Sequence, residues 1–125
     1  MAEMSFQDAV RTVFSKYVDF SGRARRAEYW WFALFNVIVL AILSAIQAAL
    51  FHSPMGNVGI LTGIYQLGTL LPSLGVGVRR LHDVGRSGWW WLIAFIPIVG
   101  LLVLLYWAVS KGTDGPNEYG PDPVA

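Results

Sequence analysis

Three stretches of the chain carry no charged side chain at all: Trp30–Phe51, Val58–Val78 and Trp89–Val109, each 21 or 22 residues long. About 20 apolar residues are enough for a helix to cross the hydrocarbon layer of a bilayer, so each stretch predicts a transmembrane helix. A different pattern precedes them. Phe6, Ala9, Val10, Val13, Phe14 and Tyr17 share one helical face about 140° wide, and Gln7, Asp8, Arg11, Thr12, Ser15 and Lys16 share the other. Ser5 to Tyr17 therefore predicts an amphipathic helix, with Ser5 and Asp8 at capping-box spacing. Such a helix either lies in the membrane interface or docks on the protein's own loop. Residues 110–125 are dense in Gly, Pro, Asn and Asp and predict an irregular tail. The fold class expected is all-α integral membrane, one membrane domain over residues 1–125.

Polar positions inside the stretches set the packing. Gly59, Thr62, Gly63, Gln66, Thr69 and Ser73 fall on one face of the second span, about 120° wide. Asn36 and Gln47 lie nearly in line on the first span, with Ser44 beside them. Lipid offers helices no hydrophobic drive to associate, so small residues and amides become the contacts. In an antiparallel hairpin Gln47 matches Thr62 in depth and Asn36 matches Ser73, and these faces are expected to meet. Pro72 and Pro97 predict kinks in the second and third spans. Pro97 with Gly100 leaves a variant open, in which the third stretch turns back instead of crossing.

Composition strengthens the membrane assignment. Of the 125 residues, 55% are hydrophobic and 14% charged, where a soluble domain carries roughly a quarter charged. A soluble fold of this size lacks the interior to hide that much apolar surface. The first span opens behind a segment with both acids and bases, which does not fit a cleavable signal. Lys and Arg number five before the first span, none between the first two, three before the third and one after it. That alternation predicts a cytoplasmic N-terminus and second loop, with the first loop and tail outside. Tyr29, Trp30 and Trp31, then Trp89 to Trp91, then Tyr106 and Trp107 mark the span ends at headgroup level.

Charge and chemistry then gather in two segments, Arg23, Arg25, Arg26 and Glu28 from one, and Arg79, Arg80, His82, Asp83 and Arg86 from the other. As membrane anchors, each cation contributes about 1 kcal/mol near an anionic leaflet. A sharper possibility makes Glu28 and Asp83 internal partners of some arginines. Arg23, Arg26, Arg79, Arg80 and Arg86 are then the candidates to grip a phosphate, as bidentate guanidinium suits. Arg26 lies within cation–π reach of Tyr29 and Trp30. His82 beside Asp83 resembles a base with its orienter, and Ser87 and Ser21 are the candidate nucleophiles, but neighbouring residues point in different directions. With no cysteine and one histidine on this side, no metal or other cofactor is expected. The net charge of +1 and the absence of a basic face away from the bilayer argue against nucleic acid. Asp114, Asn117, Glu118 and Asp122 offer oxygens to a cation without the spacing of an EF-hand loop.

Three motifs in order, "FSGRARRAEYWWF" at Phe20–Phe32, "RRLHDVGRSGWWW" at Arg79–Trp91 and "GTDGPNEYGPDP" at Gly112–Pro123, resemble the domain of unknown function 805 family, the YhaH-like bacterial inner-membrane proteins. The resemblance covers about residues 10 to 123. It implies a small polytopic protein of the bacterial inner membrane, brings no assigned reaction, and points to the arginine-rich segments and the tail as the working parts. Three functions are open: a non-enzymatic component binding anionic lipid or a protein partner through the arginines, a transporter or channel subunit using Asn36, Gln47 and Gln66, or a lipid-modifying enzyme using His82 and Asp83. Three helices enclose little core, so a homo-oligomer or another membrane protein is expected as partner.

Overall fold

The computed structural model describes residues 4–52 and 56–123. Four α-helices and one 3-10 helix make up the fold: α1 Phe6–Ser15, α2 Arg26–Phe51, α3 Gly56–Asp83, the 3-10 helix Gly88–Phe95, and α4 Val99–Val109. Part of the connection predicted at His52–Asn57 lies outside the described residues. Ser5 caps α1, its hydroxyl accepting the Asp8 N–H at 3.1 Å.

Two helices, Arg26–Phe51 and Gly59–Asp83, are long and apolar enough to cross a membrane. They pair as an antiparallel hairpin. The Gln47 amide oxygen accepts the Thr62 N–H at 2.9 Å, and Tyr65 O–H donates to Asn36 Oδ1 at 2.6 Å. Ser73 lines a cleft shared with Asn36. Gly63 takes no part in this packing: a Cβ there would meet nothing within 4 Å. Gly59 sits at φ +70, so the first turn of α3 is not regular helix. Gln66 is exposed.

The first helix docks on the inside of this hairpin's charged end. Phe14 meets Phe32 and Phe35 edge-on, Phe6 meets Trp31, and Val13 joins Ala24, Phe32 and Val76 in a buried cluster. Of the two sequence alternatives, the structure shows docking on the protein itself, against α2 and α3 rather than the loop alone. Pro72 explains one contact. It has no N–H to give the carbonyl four residues earlier, which is Gly68 O, and Tyr17 O–H donates to that oxygen instead.

The third apolar stretch is not one helix, which corrects the expectation of a continuous span over 89–109. Ile96, held extended by the proline that follows it, ends the 3-10 helix, and Ile98 turns the chain at φ 67. Val99–Val109 then runs back along the 3-10 helix. At Gly100 the backbones nearly touch, since a Cβ there would lie 1.6 Å from Ile93 O. Eleven residues of α-helix reach about 16 Å, roughly half of a hydrocarbon core. Tryptophan anchors both legs: the Trp91 indole lies on Gly77, and Trp90 meets Trp107 at 5.6 Å. The turn of this hairpin is strongly apolar and open, with Phe95 83% and Ile98 73% exposed.

Candidate functional site

Three helix ends converge on the arginine-rich segments: the N-terminus of α2 and the C-termini of α3 and α4. C-terminal turns expose carbonyls without helical partners and a negative dipole end, and arginines fill that need here. Arg80 donates to Ser110 O and, at 3.4 Å, to Trp107 O. Arg26 Nη1 donates to Val109 O at 3.1 Å, and Trp30 Nε1 to Ala108 O at 2.8 Å. These bonds place the end of α4 beside the start of α2, so the hairpin begins and ends at the same side. They also spend the Arg26 guanidinium on a carbonyl instead of on the Tyr29 and Trp30 rings.

Beneath them lie two buried groups of ion pairs. Asp83 accepts from Arg23 Nε at 3.0 Å on one oxygen and from Arg80 Nη1 on the other. Glu28, in the first turn of α2, pairs with Arg79. All five side chains are buried. Glu28 also faces the positive end of its own helix, which favours its charge. Taking such pairs out of water is costly, and the remaining donors must find acceptors. Arg23 does so with backbone of the tail, donating to Thr113 O, Gly115 O at 2.7 Å and Gly120 O at 3.3 Å. Arg79 Nε and Nη2 and Arg80 Nε have no partner among the described residues.

The tail is thereby ordered over the end of α3. Thr113 N–H donates to Asp83 O at 2.7 Å, and Asn117 Nδ2 to His82 O at 2.9 Å. Gly112 admits this approach, because a Cβ would fall 2.0 Å from Asp83 Oδ2. Asp122 accepts the Gly115 N–H, and Asn117 exchanges backbone bonds with Gly120. The ring of Tyr119 stacks on His82, centroids 4.1 Å apart. Partial burial, reinforced by the Glu118 carboxylate, raises the Tyr119 phenol above its usual range.

His82 and Asp83 do not form a dyad. His82 Nδ1 lies 2.8 Å from Gly22 O. A carbonyl only accepts, so Nδ1 carries the proton. Asp83 is committed to two arginines. His82 and Ser87 do share a groove of about 500 Å³ with Phe20, Val78 and Trp89. The Ser87 hydroxyl, however, caps the 3-10 helix by accepting the Trp89 N–H. Among the described residues no group of three or more His, Asp or Glu is placed to hold a metal.

Sequence-picked residues thus divide. Arg23, Arg79, Arg80, Glu28 and Asp83 come together, enclosed. Arg26 and Arg86 stay exposed at the edge, Arg86 with its guanidinium 5.1 Å from the Trp107 ring and 5.9 Å from Trp90. Asn36 and Gln47 hold α2 to α3, away from this site. The carbonyls of Thr113, Gly115 and Gly120 were not foreseen as ligands. Only the turn-dense composition of the tail hinted that it folds against something.

An all-helical chain with two helices of membrane-spanning length and apolarity, closed at one end by ion pairs, defines a small membrane-type protein. The family described as "Protein of unknown function (DUF805)" matches residues 17–121, and the chain belongs to it. The chain is 49% identical over 112 residues to Inner membrane protein YhaI of Escherichia coli K12, covering 90% of this chain and 92% of YhaI. It is 45% identical over 111 residues to Inner membrane protein YhaH of the same strain, covering 89% and 92%. A third relative there, "Uncharacterized protein YiiR", is 32% identical over 133 residues, covering 82% and 84%. No solved structure matches.

Proposed function

We propose that this protein is a non-enzymatic component of the bacterial inner membrane that holds anionic lipid at its cytoplasmic edge. In this reading α2 and α3 cross the bilayer and the 3-10/α4 hairpin dips into it from the cytoplasmic side. Both termini then face the cytoplasm, where the positive-inside bias puts the arginine-rich segments. The observation that carries the reading is the division among the arginines. Arg23, Arg79 and Arg80 are enclosed, whereas Arg86 stands exposed over Trp90 and Trp107, and Arg26 stands exposed with its Nη1 on Val109 O. Cations next to indoles at a membrane edge are arranged to meet phosphate headgroups.

The transport reading has less support, because Asn36 and Gln47 spend their amides binding α2 to α3. The enzyme reading lacks its base and orienter in contact. Native mass spectrometry of the protein extracted with its lipids tests the proposal. At about 1 kcal/mol per cation, an Arg26→Gln/Arg86→Gln double variant should retain phosphatidylglycerol or cardiolipin about tenfold to thirtyfold less than the parent. A parent that retains zwitterionic and anionic lipid equally would contradict it.

A further inference from the structure

We infer that α3 carries a homodimer interface centred on Gln66; this rests on the reading that α2 and α3 lie in the bilayer. The other described side-chain amides of the helical hairpin are used internally. Asn36 bonds Tyr65, Gln47 bonds the Thr62 N–H, and Thr69 Oγ1 donates to Tyr65 O. Gln66 is the exception. It is exposed at mid-helix, and its side chain makes no hydrogen bond to the described residues. Beside it opens a cleft of about 320 Å³ that reaches Asn36 and Ser73. An amide facing hydrocarbon without a partner is strongly disfavoured.

The residues around Gln66 are shaped for another helix. Gly63, Gln66, Leu67 and Leu70 follow the i, i+3, i+4, i+7 spacing of one face. Leu67 is 76% exposed, and a Cβ on Gly63 would meet nothing within 4 Å. Glycine at such a place lets a neighbouring backbone come close. The fold does not use Gly63 for its own hairpin, so its room is available to a second molecule. The occupant is a second copy of this chain. An amide both donates and accepts, and a two-fold axis at Gln66 sets two identical amides against each other, satisfying both at once. A lipid tail offers no such group.

The chain has no cysteine, so a single introduced thiol reports proximity cleanly. In bacterial membranes, Leu67→Cys, beside Gln66 on the same face and leaving its amide in place, should form an intermolecular disulfide on mild oxidation. Val37→Cys on α2, at a residue 64% exposed, should not. In proteoliposomes, subunit counting by single-molecule photobleaching should show that Gln66→Leu weakens self-association about threefold to thirtyfold, the range measured for interhelical polar contacts, and that Gln66→Asn restores part of it. Crosslinking at Val37 instead of Leu67, or a dimer indifferent to Gln66→Leu, overturns the interface. Carbonate extraction separates this failure from the broader one. A protein that stays in the membrane as a monomer refutes only the interface, whereas one released by carbonate refutes the membrane reading itself.

Discussion

The two ends of the polarity scale change places between two regions of this molecule. Where α2, α3, α4 and the tail converge, arginines and carboxylates form the interior: Arg79 is fully enclosed and Arg80 is 2% exposed. Along the shafts of α2 and α3, valine, leucine and isoleucine form the exterior, as at Val37, Ile64 and Leu67. In water, burial follows apolarity. Here one region obeys water's rule only in having its charges paired, and the other inverts the rule outright. The difference shows that the shafts are built for a solvent as apolar as themselves. The charged end is built as a plug, held by geometry between ions and carbonyls rather than by exclusion from water.

Breaking the plug should have the largest effect. Asp83→Asn leaves Arg23 and Arg80 buried without their counter-ion, a loss of about 3–5 kcal/mol. Thermal unfolding in nanodiscs should show it, and the tail should become protease-sensitive, because Thr113, Gly115 and Gly120 are held through Arg23. An apolar shaft substitution such as Val37→Ala should barely move the same midpoint. If the two substitutions cost alike, the contrast between the regions is not energetic.

A smaller effect is expected at the seam between α1 and α3. Tyr17→Phe removes the donor from the exposed Gly68 carbonyl, costing about 0.5–1.5 kcal/mol for the lost hydrogen bond. Pro72→Ala in that background should recover much of the loss by restoring a backbone N–H to the same oxygen. Independent, additive effects in the double-mutant cycle would show that Tyr17 acts by packing alone.

The smallest effect concerns pH. Hydrogen bonds from the Ser21 hydroxyl and N–H, at 2.6 and 2.9 Å, hold the Asp19 carboxyl below its ordinary 3.8. A depressed folded pKa stabilises the fold above the unfolded value, and that contribution fades as pH falls below 3.8 towards the folded one. Asp19 is exposed, so the slope should be slight. Asp19→Asn should flatten it in an acid titration of the unfolding midpoint.

Much of the fold was legible in the sequence because charge-free length is a blunt, reliable signal. The presence of α2 and α3 follows from it, as does the depth match that lets Gln47 reach Thr62, although α2 begins earlier, at Arg26, and α3 runs on through the arginines to Asp83; α1 was legible instead in its apolar and polar faces. The third stretch was not legible on that basis. A run from Trp89 to Val109 is equally apolar whether it crosses or turns back, and the deciding feature is a backbone contact at Gly100 that only the folded chain reveals. The charged end was half legible. Glu28 and Asp83 stood out as partners for some arginines, but which arginines are enclosed depends on main-chain carbonyls of the tail, and carbonyls leave no mark on a sequence. Pro72 did leave one, read only as a kink: a missing N–H implies an oxygen in need of a donor, and Tyr17 supplies it.

In the proposed topology the apolar hairpin after α3 returns to the side it left. Single-cysteine variants at Gln7, His52 and Glu118, labelled with an impermeant maleimide in intact cells and in inverted vesicles, test it most directly. Gln7→Cys and Glu118→Cys should react only in inverted vesicles and His52→Cys only in intact cells. Reaction of Glu118→Cys from outside the cell, with His52→Cys, would contradict it.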